Sequence, residues 1–286
     1  MRRFFKKLLK IVFILFFGVL LTFLVLINIF FKPKSDDEIR AIFYEANVEL
    51  KLEYQEFEEQ QFRVISTRKQ LDTTLPNLIF IHGSPGSALD FKKYLLDTDL
   101  NSSANLIAYE RVGYGDNNLG DVKNIAFEVS LLSSITEQLN IEKTILVGYS
   151  YGGPIALASQ KEYKKVVLLA PAVYSEIEPM FWFLNFYKWG ATRWMIPKML
   201  QTASKEKLNH PTDLKNYEQN WKEHPSTVYV IHGDKDWVVP YENSTLLQKQ
   251  FSIDKFELHT IKEAGHDLIW TRFDEIKFEL LKVISE

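Results

Sequence analysis

The chain of 286 residues contains no cysteine. That excludes disulfides, thiolate nucleophiles and cysteine zinc sites, although it does not identify a compartment. A helical H-E-x-x-H, a P-loop and a G-x-G-x-x-G fingerprint are also missing. Gly113-Tyr114-Gly115 comes nearest to the last of these, but it continues to Asn118 where a third glycine is needed. Neither a metal nor an organic cofactor is implied. There is no internal repeat and no low-complexity tract. Acidic residues are absent from the first 34 positions, which carry seven Lys/Arg, leaving 27 basic against 37 acidic residues beyond them. A body that acidic matches a phosphate backbone poorly, so nucleic acid is excluded as a main partner.

The acid-free start has its own logic. Arg2, Arg3, Lys6, Lys7 and Lys10 lead into Ile11–Phe31, an apolar run interrupted only by Gly18, Thr22 and Asn28. Roughly 20 residues rising 1.5 Å each span a bilayer's hydrocarbon core. A cleavable signal peptide would have a shorter apolar region and small residues at a cleavage site. Ile27-Asn28-Ile29-Phe30-Phe31-Lys32 offers none, so residues 1–34 read as an uncleaved transmembrane anchor. Lys32 and Lys34 are soon answered by Asp36, Asp37 and Glu38. The positive-inside rule then keeps the N-terminus cytoplasmic and puts the body on the extracytoplasmic side. Residues 35–60 read as a juxtamembrane linker, with Glu38–Glu53 a helix or coil. The remainder of the chain, residues 61–286, is long enough for one α/β domain with a large core.

Within that domain, Gln61–Thr67 alternates as a half-exposed strand should. Leu78–Ile81, Leu106–Tyr109, Thr144–Val147, Lys165–Ala170 and Val228–Ile231 are nearly continuous apolar runs, as buried parallel strands are. Phe256–Ile261 follows as the last strand. Helices are expected over Ile125–Leu139, after Gly153 and over Trp270–Ile284. Strands alternating with helices imply a doubly wound, mostly parallel sheet. Ligands bind such sheets beyond the carboxyl ends of the strands. The glycine-bearing turns at Gly83, Gly113, Gly148, Gly233 and Gly265 all fall there.

One turn stands out. Gly148-Tyr149-Ser150-Tyr151-Gly152 joins a strand to a helix in the G-x-S-x-G pattern, a strained elbow that lifts a serine hydroxyl off the sheet. The helix N-terminus beside it favours negative charge. A serine needs a base, and the base an orienting acid. In this pattern they follow in the order acid, then histidine. Asp234 and Asp236 follow the strand ending at Ile231, and His266 follows the last strand. Between about residues 172 and 225 no strand is expected. A structureless loop of that length is improbable inside a compact domain, and the stretch is dense in aromatics, so it reads as a short helical cap. The cap would give the site an apolar entrance. Phe181, Trp182 and Trp237 are its candidate substrate contacts.

The ordered set H-G-x-P-G at His82–Gly86, G-x-S-x-G at Gly148–Gly152, H-G-x-x-D-x-x-V-P at His232–Pro240 and Gly265-His266 resembles the α/β-hydrolase superfamily from Gln61 onward. The resemblance implies Ser150 as nucleophile, Asp236 rather than Asp234 as acid, and His266 as base. It also implies an oxyanion hole of the Tyr151 and Ser84 backbone N–H groups, Pro85 having none to give. His82 and His232 read as structural. His210, His224 and His259 receive no role. Two departures stand out: Glu110 replaces the usual aspartate of the D-R-x-G-x-G turn, and Ser84 replaces the second glycine of the H-G-G-P-G loop of proline iminopeptidases. The expectation is a membrane-anchored serine hydrolase cleaving an ester, less readily an amide, of an apolar or acyl substrate. An aminopeptidase or carbon–carbon bond hydrolase on the same triad, or a non-catalytic binding protein on this scaffold, are the alternatives.

Overall fold

The computed structural model describes residues 2–116 and 118–286; Met1, Asn117 and the Arg2 and Arg3 side chains lie outside the described residues. Helix α1 (Arg2–Phe30) is followed by α2 (Asp36–Glu45), β1 (Lys51–Phe57), β2 (Gln60–Ser66) and β3 (Asn77–Ile81). Then come α3 (Lys92–Leu95), α4 (Thr98–Ser103), β4 (Asn105–Tyr109), α5 (Ile125–Ile135), β5 (Thr144–Tyr149), α6 (Gly152–Ala158) and β6 (Lys165–Leu169). The crossing to β7 (Val228–Gly233) holds α7 (Leu184–Lys188), α8 (Gly190–Arg193) and α9 (Lys198–Leu214). The chain closes with α10 (Glu242–Gln250), β8 (Phe256–Ile261), α11 (Leu268–Thr271) and α12 (Phe273–Ser285).

One eight-stranded sheet has the order β1-β2-β4-β3-β5-β6-β7-β8. Strands β3 to β8 run parallel, while β2 is antiparallel to both β1 and β4. The apolar runs explain themselves here, because both sheet faces are covered. Leu78, Phe80, Ile145 and Val147 face one core, which contains residues of α2, α4 and α12. Ile79, Ile81, Leu146 and Leu168 face the other, with α5 and α6. Alternate side chains of a strand point to opposite faces, so each parallel strand must be apolar throughout.

Three expectations change. Residues 35–60 are no plain linker: α2 buries Ile39 and Phe43 in the core, and β1 pairs with β2 from Lys51↔Ser66 to Phe57↔Gln60. Ser35 caps α2 in a reciprocal box with Glu38, which fixes where that helix starts. The helix expected to reach Leu139 stops at Ile135, and the last helix is broken at Arg272. Helix α1 is long and apolar enough to cross a membrane over Phe4–Phe30.

Candidate active site

The elbow is built from backbone constraints. Ser150 has φ +52°, in the left-handed region, a conformation that costs a non-glycine residue of order 1 kcal/mol or more. Its N–H donates to Leu169 O at 2.9 Å, and its carbonyl accepts from Gly153 and Ala172. A Cβ on Gly148 would lie 2.4 Å from the Gly152 carbonyl oxygen, and one on Gly152 would lie 2.1 Å from that of Ile81. Both glycines are therefore steric necessities.

Three loops from separate strands converge on that serine. His266, beyond β8, places Nε2 3.0 Å from Ser150 Oγ. Its Nδ1 lies 2.7 Å from Asp236 Oδ2, beyond β7. A carboxylate only accepts, so Nδ1 carries the proton and the serine hydroxyl donates to Nε2. Tyr149 holds the ring from behind: its hydroxyl donates to the His266 carbonyl at 2.8 Å, and the two rings stack with centroids 5.1 Å apart. Asp236 Oδ1 accepts from the N–H groups of Val238 and Val239. Burial pushes its carboxyl up, but hydrogen bonds from His232 and His266 outweigh that and hold it at about 2. Asp234 lies elsewhere, accepting from the Glu263 N–H and pairing with Lys262.

His232 is more engaged than its structural reading required. Nε2 lies 3.3 Å from Asp236 Oδ2 and 3.1 Å from Val239 O, while Nδ1 is 2.6 Å from Ser244 Oγ. Asp236 is thus held by two imidazoles. His82 braces its loop: Nε2 accepts from the Arg111 N–H at 3.0 Å and Nδ1 faces Gly83 O. Burial, then the Arg111 charge, keep it neutral, well below the usual histidine range.

The His82–Ser84 loop reaches Ser150 because Gly83 has no Cβ; one there would come within 3.0 Å of that of Ser150. Ser84 and Tyr151 line the same cavity as Ser150. No backbone acceptor among the described residues takes either N–H. The serine that replaces glycine at 84 has a partner: its hydroxyl is 2.6 Å from that of Tyr114, which donates to Glu206 Oε2 on α9 at 2.6 Å. Arg111, wholly buried, joins this chain through Glu206 and through Gly83 O at 3.1 Å. Glu110 is structural, accepting from Arg63 at 3.1 Å in the core.

The cavity beside Ser150 measures about 690 Å³. Phe181 lines it, whereas Trp182 and Trp237 do not; they stand 73% and 72% exposed. The turn at Phe181 stacks that ring on Phe183 and sends Trp182 outward against Phe186. Sequence reasoning missed Glu178, Lys207 and His210, which also line the cavity. Lys207 and His210 lie one turn apart on α9, a spacing that puts them on one face. Lys207 pairs with Glu178, and burial pushes the Glu178 carboxyl up against that pull. His210 packs on the Tyr151 ring at 4.5 Å. No cluster able to hold a metal occurs among the described residues.

The sequence profile of the alpha/beta hydrolase family matches residues 78–276. A proline iminopeptidase of Lactobacillus helveticus (strain DPC 4571) is 26% identical over 109 residues, 37% of this chain and 36% of that protein. The chain thus spans about a third of the length of the curated relatives it matches. A membrane phospholipase A, described as a bacterial virulence factor, superposes over 100% of this chain and 98% of its own, with TM-score 0.65 and 13% identity. An esterase of Exiguobacterium antarcticum covers 84% of this chain and 100% of its own, with TM-score 0.63 and 15% identity. At such identities the two structures bear on the fold alone.

Proposed function

We propose a function from one premise: the chain belongs to the alpha/beta hydrolase family. Our reading is a serine hydrolase that cleaves a carboxylic ester through an acyl-enzyme. The observation that carries it is the relay of Ser150 Oγ to His266 Nε2 at 3.0 Å and His266 Nδ1 to Asp236 at 2.7 Å. Ser150 Oγ attacks the acyl carbon and gives its proton to Nε2. The oxyanion forms against the N–H groups of Tyr151 and Ser84. As the acyl–oxygen bond breaks, Nε2 returns the proton to the departing alcohol. Water then attacks the acyl-enzyme, giving a proton to Nε2; collapse releases the acid and restores the serine hydroxyl. Asp236 stays ionised throughout and holds the imidazole in one tautomer.

An ester is favoured over a peptide's free amine because Lys207 already neutralises Glu178, the carboxylate of the cavity wall. The remaining wall is largely apolar, which suits an acyl substrate. The iminopeptidases among the curated relatives weigh the other way, towards an amide. Helix α1 is the anchor, with the N-terminus cytoplasmic and the body across the membrane. The test is labelling by a fluorophosphonate probe, with hydrolysis of p-nitrophenyl esters and amino-acid anilides alongside. Stoichiometric labelling, lost in Ser150→Ala together with about 10⁴-fold or more of the ester rate, is expected. Labelling that survives in Ser150→Ala, or turnover of anilides alone, sinks the reading. Protease protection in intact vesicles checks the sidedness.

A further inference from the structure

One wall of the cavity over Ser150 belongs to neither the sheet nor the cap. Leu20, Phe23, Leu24 and Ile27 of α1 form it. Positions i, i+4 and i+7 share a helix face, and Leu20, Leu24 and Ile27 are the residues of Phe4–Phe30 that are half-buried rather than exposed. Across from them stand Phe183, Phe186, Met195 and Leu200 of the cap. A second apolar recess continues along α1, from Leu21 and Leu24 to Ile29 and Lys32, against Trp194 and Met195. Leu20 to Phe30, where α1 ends, covers about 15 Å at 1.5 Å per residue, about half of a hydrocarbon core about 30 Å thick. If α1 crosses a bilayer, the cap beside its C-terminal half sits against one half of the hydrocarbon and the interface next to it.

The rest of the cap fits that position. Trp182, Phe183, Phe186, Trp189 and Trp194 are all exposed, and tryptophans concentrate where bilayer meets water. Nor is α1 on a loose tether. Five residues separate it from α2, and Pro33 among them is buried. Buried Arg63 donates to Lys34 O at 3.0 Å and to Asp36 at 2.9 Å, so the helix leaves the body at a fixed point.

We propose that α1 is a wall of the binding site as well as an anchor, and that the substrate is a long-chain acyl ester of the bilayer, entering sideways between α1 and the cap. The proposal rests on the serine-ester reading and gives it a substrate class and a route. The chain slides along the Leu20–Ile27 face until its ester meets Ser150 Oγ, without crossing water. The acyl–oxygen bond breaks, the departing alcohol takes the proton from His266, and water supplies the hydroxyl of the released acid.

Two esters sharing one leaving group separate the routes: 4-methylumbelliferyl oleate dissolved in phosphatidylcholine vesicles holding the full chain, and the butyrate in the surrounding water. Leu24→Trp and Ile27→Trp, which fill the gap, are expected to lower oleate hydrolysis at least tenfold more than butyrate hydrolysis. Leu26→Trp, on the outer face, should change neither rate by more than twofold. Equal losses on both esters, no loss on either, no oleate turnover by the wild type, or the same loss in Leu26→Trp overturns the route. Wild type inert towards both esters instead sinks the serine-ester reading beneath it. Because the chain has no cysteine, Trp194→Cys supplies a single thiol. A bimane attached there should be quenched by a doxyl-labelled lipid. Efficient disulfide cross-linking between two chains would put a second copy on that face and overturn the proposal.

Discussion

The two sides of the cavity are held by different means. On the serine side the backbone decides: Ser150 sits at φ +52°, and Gly152 packs so tightly that a methyl group would lie 2.1 Å from a carbonyl oxygen. On the α1 and cap side, nothing lies within 4 Å of where a Cβ would stand on Gly18 or Gly190. There, helices of five, four and seventeen residues carry side chains that meet an apolar helix across open space. On the proposed reading, reaction geometry is fixed where backbone atoms touch, and substrate choice is left where only side chains do. On the first side Gly148 and Gly152 leave no room for a side chain.

Three substitutions break or sharpen that contrast, the largest effect first. On the rigid side, Asp236→Asn keeps the shape but loses the acceptor for Nδ1–H. It should cost about 10⁴ in kcat on p-nitrophenyl esters with little change in Tm. A loss under tenfold would make Asp236 merely a turn residue. Gly152→Ala should destabilise by about 3 kcal/mol or more through overpacking against Ile81, read as a lowered urea midpoint. A midpoint unchanged would show that the elbow yields after all.

The third lies where the two sides join. Burial, followed by the Lys207 and Arg111 charges, lowers His210 from 6.5 to about 3. Its unfolded form binds a proton below 6.5 while the folded form does not until about 3. The stability that comes from keeping it neutral is therefore full above pH 6.5 and is lost as pH falls towards 3. His210→Gln keeps a donor for the Ala172 carbonyl and removes that titration. Between pH 7 and pH 5 the variant should lose less stability than the wild type, by on the order of 2 kcal/mol in urea unfolding. Identical losses would mean that water reaches this seam.

The contrast also explains what could be read in advance. The elbow, the two histidine-bearing loops and the aspartate turn were legible because tight turns write their needs into adjacent residues, as Gly148 and Gly152 do. Strand β1 was not, since Lys51, Glu53 and Glu56 lie on an open sheet edge where polar side chains meet water. Arg63 offered no hint of holding Lys34, because that contact spans 29 residues. The α1 wall stayed hidden for a related reason. An apolar helix and an aromatic cap each have a sufficient local explanation, and only the folded chain lays one against the other. Ser84 is the intermediate case: visible as a departure, and understandable only once Tyr114 and Glu206 stand beside it.

A body cut free at Ser35 for convenience in solution would lack Leu20, Phe23, Leu24 and Ile27. Its pocket would gape along one flank. If α1 walls the site as proposed, selectivity profiles gathered from such a trimmed body would favour short, water-loving esters, and would describe the cut rather than the catalyst.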